Sequence, residues 1–369
     1  MCCDYKLMAA VLANCLQVEL VTRGYFPSHQ TGLIRGRSIY EPILRVAEWA
    51  SSGRYTVCLL DFEKAYDRVQ HSWLFQCLEA AGLPRVFRAF VQAALAEASL
   101  KIWVNGSLSP SISDTSGVRQ GDPLSPLLFN FALEPLLLAL HKAGIKAQAH
   151  ADDTALALIS VKEAHTALNI ITQYEEASGM LLNRHKSVAL AQATNKTAAA
   201  AGFNILQGDR YLGVHLSCNG KLSVLSITWE KLQVRAQALA GLPISLWGKM
   251  TLIRAYLRPK ILYQLVVVNE CSPDLDRWLV IERRLLNSSG SLSSNSRRIV
   301  SEERTHYLTW ARLPPLLWDL DRRRLGMVPL LHGLYNKGEG RIPLASQLAA
   351  QGLFQDSVLR PFTLPLREG

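Results

Sequence analysis

The stretch Tyr55-Thr-Val-Cys-Leu-Leu60-Asp61-Phe-Glu-Lys64-Ala-Tyr66-Asp67 decides how this chain is organised. From Tyr55 to Leu60 it is apolar or β-branched without polar alternation, the pattern of a short buried strand. The run stops at Asp61, so a carboxylate sits at the end of a buried strand, where it is poorly solvated. A second acidic site follows downstream. Ile145 to Ile159 reads as a hairpin with Asp152 and Asp153 at its tip. Two β elements that each carry acid to one end place the carboxylates edge to edge in one sheet. Adjacent residues of a strand point to opposite faces, so a turn is needed if both aspartates are to serve one site. The bland reading stays open, because Asp is also an ordinary turn residue.

Around these elements helix and strand patterns alternate. Leu7 to Leu20 reads as an amphipathic helix, and Ser38 as the cap of a helix to about Ala50 that buries Ile39, Ile43, Leu44 and Val46. Helices are expected from about Gln70 to Ala81 and from Pro84 to about Ala96. Asn105-Gly106 supplies the positive φ angles of a two-residue turn and makes Leu100 to Ile112 a hairpin. The loop Gly117 to Pro126 leads into a helix from about Leu127 to His141 that is apolar on both sides, hence central. A helix from about Val161 to Ala177 ends at Ser178-Gly179, and strands are expected near Ser187 to Leu190 and Tyr211 to Leu216. From Leu222 onward the spacing is helical. Composition changes near Asn219-Gly220, and Asn287 to Ser296, with seven of ten residues Ser or Gly, reads as a linker.

With 369 residues, 49% hydrophobic and 19% charged, the chain can pack two or three subdomains and is too apolar for general disorder. Its net charge is +10 and its pI about 9.3. From Lys221 to Arg341 there are 19 basic against 10 acidic residues, so nearly all the excess lies there. A localised basic surface suits nucleic acid, a merely soluble basic surface being the alternative. Seven cysteines without C-x-x-C spacing imply free thiols, no zinc and a reducing compartment. No apolar run reaches the roughly 18 residues of a membrane span and no secretory cleavage site follows the first helix. The chain is therefore expected inside the cell, in nucleus and/or cytoplasm, without a membrane partner.

Joining nucleotides needs two divalent cations about 3.5–4 Å apart. Magnesium takes hard oxygen ligands and keeps some water, so a few carboxylates suffice. Asp61, Asp152 and Asp153 are thus candidate ligands for two Mg2+ ions, with Mn2+ a possible substitute.

Further stretches fall in a telling order. They are Gln30-Thr-Gly-Leu-Ile-Arg-Gly-Arg-Ser38, Leu60-Asp-Phe-Glu-Lys-Ala-Tyr-Asp67, Ser116-Gly-Val-Arg-Gln-Gly-Asp-Pro-Leu-Ser-Pro126, His150-Ala-Asp-Asp153, Ser178-Gly-Met-Leu-Leu-Asn-Arg-His-Lys186 and Tyr211-Leu-Gly213. Together they resemble the fingers motif, motifs A to D and the primer grip of the reverse transcriptases of non-LTR (LINE-type) retrotransposons, over most of residues 1–265. The resemblance implies an α+β right-hand polymerase fold: partial fingers (1–54), a palm of antiparallel sheet plus helices (55–218), a helical thumb (219–286) and a linker with a basic C-terminal region (287–369). It implies an RNA-directed DNA polymerase, whose partners are an RNA template, a DNA primer and deoxynucleoside triphosphates.

By the same resemblance Asp61 and Asp152 are the principal metal ligands and Asp153 an auxiliary acid. Tyr66 lies beneath the incoming sugar, or else packs in the core. Gln120 and Gly121 lie against template base and nascent pair, while Arg119 touches substrate or serves as a structural ion-pair partner. Lys186 protonates or neutralises the pyrophosphate, or is simply solvated. Tyr211, Leu212 and Gly213 form the primer grip. Lys231, Arg235, Lys249, Arg254, Arg258 and Lys260 track the primer-template backbone.

The sequence departs from the family in having His150 where Tyr is usual. A fingers strand with its triphosphate-binding basic residue is expected upstream of Cys3 and is not present, Arg35 or Arg37 being the substitutes at hand. An endonuclease domain and a Cys/His knuckle are also absent. The rival readings are a catalytically inactive nucleic-acid-binding relic and a metal-dependent nuclease.

Overall fold

The computed structural model describes residues 3–287 except 97–98, 102, 111, 114, 243, 245 and 269–271. Helix and sheet are mixed, and the chain divides into two compact units, Met1–Asp209 and Arg210–Gly369.

In the first unit the order is α1 (Cys3–Thr22), α2 (Tyr40–Ser51), β1 (Thr56–Leu60), α3 (Ala65–Arg68), α4 (His71–Ala80) and α5 (Arg85–Ala96). Two short ladders follow, β2 (Ser99–Leu100) with β5 (Ile112–Ser113) and, inside it, β3 (Trp103–Val104) with β4 (Ser107–Leu108). Asn105 and Gly106 turn the inner one with φ of 47° and 85°. Then come α6 (Ser125–Lys142), β6 (Lys146–His150), β7 (Asp153–Leu158), α7 (Val161–Ser178), β8 (Val188–Leu190), α8 (Lys196–Ala201) and β9 (Asn204–Leu206). The main sheet is ordered β6-β7-β1-β8-β9, antiparallel except for the parallel pair β8-β9. At its centre β1 is buried along its whole length.

Helix α6 is the core of this unit. Phe129, Phe131, Leu133, Leu137 and Leu140 are all buried, each contributing on the order of 1.5–3 kcal/mol by leaving water. Helix α7 starts where Ser160 accepts a hydrogen bond from the Glu163 amide (3.2 Å) and stops at Gly179, whose φ is 76°. Helices α3 and α8 and strand β9 were not foreseen, being too short to show a period.

One strand was expected from Tyr211 to Leu216, but the chain folds there into a hairpin, β10 (Gly208–Tyr211) and β11 (Val214–Ser217), with β12 (Leu222–Ser223) alongside β11. Leu212 and Gly213 turn it with φ of 43° and 80°. Two consecutive positive φ angles are the mark of a hairpin turn that matches strand twist. Leucine rarely adopts one, which hid the turn.

The second unit continues with α9 (Ser226–Ala240), α10 (Leu246–Leu252), a π-helical turn (Ile253–Leu257), α11 (Arg258–Leu265) and α12 (Ser272–Asn287). Trp229, Leu232, Leu257, Ile261 and Trp278 form its interior. Two expected phosphate-trackers are inside as well: Lys249 is 1% exposed and Arg258 3%. Arg258 pairs with Glu282 at 2.9 Å, and Glu282 also accepts from the Trp278 indole at 3.1 Å. A guanidinium closed in this way cannot face a nucleic-acid backbone. Lys231, Arg254 and Lys260 are exposed. Residues from Ser288 on, with the rest of the linker and the clusters Arg297-Arg298 and Arg322-Arg323-Arg324, lie outside the described residues.

Candidate active site

The sheet brings the acidic residues together. In the β1-β7 ladder Leu60 opposes Thr154, and in the β6-β7 ladder His150 opposes Asp153. Asp61 follows Leu60 and Asp153 precedes Thr154, so the two stand at the same end of neighbouring strands. Ala151 and Asp152 form the hairpin tip, with Ala151 at φ 57°. That left-handed residue supplies the turn which strand alternation alone denies to Asp152 and Asp153. It costs about 1–2 kcal/mol for a residue with a Cβ. Asp61 is exposed, against the expectation of poor solvation, because the buried strand ends at Leu60 and the next residue already faces water; Asp153 is exposed too and Asp152 is half-buried.

Residues Gln30 to Gly32, read only as a motif, lie directly under the tip. Thr31 donates its amide to Ala149 (2.9 Å) and Ala149 donates to His29 (2.7 Å), extending β6 by a parallel bridge at Gln30. The fully buried Gln30 accepts from the amides of Gly32 (2.8 Å) and Ala151 (3.2 Å) through Oε1. A Cβ on Gly32 would lie 1.9 Å from the Ala151 nitrogen, so only glycine fits. Thr31 Oγ1 lies 3.0 Å from the Ala149 carbonyl and 3.1 Å from His150 Nδ1. A carbonyl can only accept, so the hydroxyl proton goes to Ala149. His150 Nδ1 then carries the hydrogen donated to Thr31, leaving Nε2 of the neutral ring as an acceptor. Burial pushes the His150 pKa below its ordinary value, with nearby Asp152 pulling it up.

Tyr66 is half-buried and stacked on Phe129, ring centroids 4.5 Å apart and planes within 13°. Burial, and secondly the Asp152 charge, push its phenol up to about 12. Tyr66 thus belongs to the core by its ring and to the site by its proximity to Asp152. The stretch Gly117 to Gly121 is laid against it: Gly117 donates to the Val69 carbonyl (2.7 Å) and Val118 to that of Tyr66 (2.8 Å). Asp122, buried, accepts from Leu124 N (2.9 Å) and from the Tyr5 hydroxyl (2.6 Å), which fixes the loop. Gly121, exposed with φ 84°, has open space where a Cβ would be, so glycine is required by backbone conformation, not by contact within the protein. Arg119 is half-buried and Gln120 exposed beside it.

The loop Asn183–Ser187 is hooked to the end of β1. Asn183 donates to the Asp61 carbonyl (2.7 Å), and the Asp61 amide donates to Ser187 Oγ (3.1 Å). Lys186 is exposed on that loop, its amide held by Asn183. Arg37, by contrast, directs its guanidinium at the carbonyls of Phe26, Pro27 (2.6 Å) and Gln30, with burial lowering its pKa. In the second unit Tyr211 is buried, and the Leu212 carbonyl accepts from the Tyr263 hydroxyl at 2.6 Å. A Cβ on Gly213 would meet that Tyr263 ring at 3.1 Å.

Among the described residues no group of three or more His, Cys, Asp and Glu side chains is placed so that it could by itself hold a metal ion. What the sheet provides is two carboxylates at adjacent strand ends, Asp61 and Asp153, with Asp152 at the tip beside them, exposed or half-buried and so open to water, the kind of hard oxygen donors a hydrated magnesium ion accepts. No helix among the described residues is long and apolar enough to cross a membrane.

A reverse transcriptase (RNA-dependent DNA polymerase) family profile matches residues 1–216, and the chain belongs to that family. It is similar to the uncharacterized 149 kDa protein of transposon TX1 from Xenopus laevis, 27% identical over 309 residues, which is 77% of this chain and 23% of that protein. It is also 30% identical over 244 residues to the Retrovirus-related Pol polyprotein of type-1 retrotransposable element R2 from Popillia japonica, covering 57% of this chain and 33% of the relative. The chain therefore spans about a quarter to a third of the length of these relatives. Among solved structures, apo telomerase from Candida tropicalis aligns with a TM-score of 0.48 at 11% identity, over 83% of this chain and 59% of the other.

Proposed function

We propose that this chain is the polymerase part of a non-LTR retrotransposon protein, extending a DNA primer on an RNA template from deoxynucleoside triphosphates. The observation that carries the proposal is the meeting of Asp61 with the Asp152-Asp153 tip at one end of a single sheet, inside a chain of the reverse transcriptase family. In this reading residues 1–54 are fingers, 55–218 palm and 219–286 thumb.

Asp61, Asp152 and Asp153 would hold two magnesium ions, whose chemistry when bound would be Lewis-acid activation of the primer hydroxyl and charge neutralisation on the departing pyrophosphate. Ser187 and Asn183 hold the Asp61 backbone in place. Tyr66, braced on Phe129, presents its ring edge to the sugar and crowds a 2′-hydroxyl. Gly121 leaves room for the nascent pair, with Gln120 on the template base and Arg119 beside the triphosphate. Lys186 neutralises the pyrophosphate charge. The Tyr211-Leu212-Gly213 turn, held by Tyr263, supports the primer end. Arg37 serves the site from behind, by fixing Gln30.

Extension of a labelled DNA primer on RNA with Mg2+ and deoxynucleotides tests the proposal. Template-directed products that fail to appear with ribonucleotides are the expected result. Primer shortening without nucleotides would instead indicate a nuclease, and binding without extension a relic.

A further inference from the structure

We infer that Gln30, Thr31 and Gly32 are positioning residues for the acidic tip: they hold Ala151 in its left-handed conformation and so set the metal affinity of Asp152. The inference rests on the polymerase reading for the nature of the metal, and on geometry for everything else.

A two-residue turn leaves the amide of its first residue outside the strand ladder. Here that residue is Ala151, which is 9% exposed, so its N–H has little access to water. Gln30 Oε1 accepts it, and the same oxygen accepts from Gly32. Gly32 presses its backbone against Ala151 so closely that a methyl group there would overlap the peptide. One side chain therefore satisfies the turn, and one glycine blocks its relaxation.

The holding segment is itself braced from three sides. Asn130 of α6 donates to the Gly32 carbonyl at 2.8 Å. Gln17 of α1 donates to the Leu33 carbonyl (2.7 Å) and accepts from the Arg35 amide (2.8 Å). Arg37 caps the carbonyls of Phe26, Pro27 and Gln30. The Gln30 amide nitrogen has no partner among the described residues although the residue is fully buried. Moving the turn by a fraction of an ångström displaces Asp152, whereas Asp61 is held separately through Ser187.

The test uses the full chain as wild type, Gly32→Ala and Gln30→Leu, with two readouts. Electron paramagnetic resonance follows free Mn2+ during titration of each protein, with Asp152→Asn as reference. Primer extension gives kcat and the deoxynucleotide KM. Circular dichroism confirms the fold, and Gln30→Leu decides alone if Gly32→Ala does not fold. Residues that support metal ligands change affinity or activity about 10–100-fold. Both variants are expected to weaken Mn2+ binding at least tenfold and to lower kcat in that range, with KM within about twofold. Mn2+ affinity within twofold of wild type in folded variants overturns the inference, as does a wild type that binds no Mn2+. A wild type that binds Mn2+ but extends no primer contradicts the polymerase reading and leaves the inference to the resonance data.

Discussion

Removing the Glu282 carboxylate as Glu282→Ala leaves the Arg258 guanidinium charged and 3% exposed, without the oxygen that lies 2.9 Å from it. Breaking a buried ion pair from one side costs about 3–5 kcal/mol, because the surviving buried charge loses its compensating carboxylate. The Trp278 indole loses its acceptor too. At about 2–4 °C per kcal/mol for 150–250 residues, the melting temperature should fall by roughly 6–20 °C. Thermal and urea unfolding of wild type and variant, followed by circular dichroism, measure the loss. The double variant Arg258→Met with Glu282→Leu removes both charges and should recover part of that loss, remaining about 1–3 kcal/mol below wild type because the buried Trp278 indole still lacks its acceptor. It should also keep the wild-type salt dependence of primer-template binding, whereas losing exposed Lys260 should lower the slope by about 0.9. A single-variant loss below about 1 kcal/mol would refute the buried-pair argument. So would a salt slope reduced in the double variant, which would return Arg258 to the phosphate contacts.

Tyr66→Ala should cost about 1.5–3 kcal/mol through the lost stack on Phe129 and raise the ribonucleotide-to-deoxynucleotide kcat/KM ratio at least about tenfold, with Tyr66→Phe near wild type for both. Gly121→Ala should destabilise by only about 1–2 kcal/mol, the cost of its positive φ, yet depress extension more than about tenfold if a base pair fills the space above it; melting and extension rates separate the two. Burial pushes the thiols of Cys58 and Cys77 up to about 12 from an ordinary 9.0. Between those values the unfolded chain has lost protons that the folded one keeps, so stability should fall as pH rises through this window. Cys58→Ala should flatten that part of the melting profile, and maleimide should label exposed Cys3 and Cys15 long before Cys58.

Much of the first unit was legible because its signals are strong and local. The unbroken apolar run before Asp61 is β1, the Asn105-Gly106 pair is a turn, and the apolar surround of Phe129 and Leu133 is α6. Other features depend on partners far away in sequence. Nothing local marks Gln30 as the acceptor for Ala151, or Ser187 as the anchor of Asp61, since each bond joins segments more than a hundred residues apart. The Leu212 turn went unread because leucine disfavours positive φ, and the Tyr263 hydroxyl that holds its carbonyl lies 51 positions on. Arg258 and Lys249 were misread as surface cations because charge alone does not reveal burial; Glu282 one helix later decides it for Arg258.

In the proposed reading Asp61 and Asp152 act together as ligands at one metal-dependent polymerase site. The most direct measurement of this is Mg2+-dependent primer extension by the full chain beside folded Asp61→Asn and Asp152→Asn variants. Residues that merely support ligands cost 10–100-fold, so each ligand replacement should lower extension by more than about a hundredfold. Their combination should lose little more than either alone, as groups acting as a unit do. Extension that persists within tenfold of wild type in either folded variant would contradict the account.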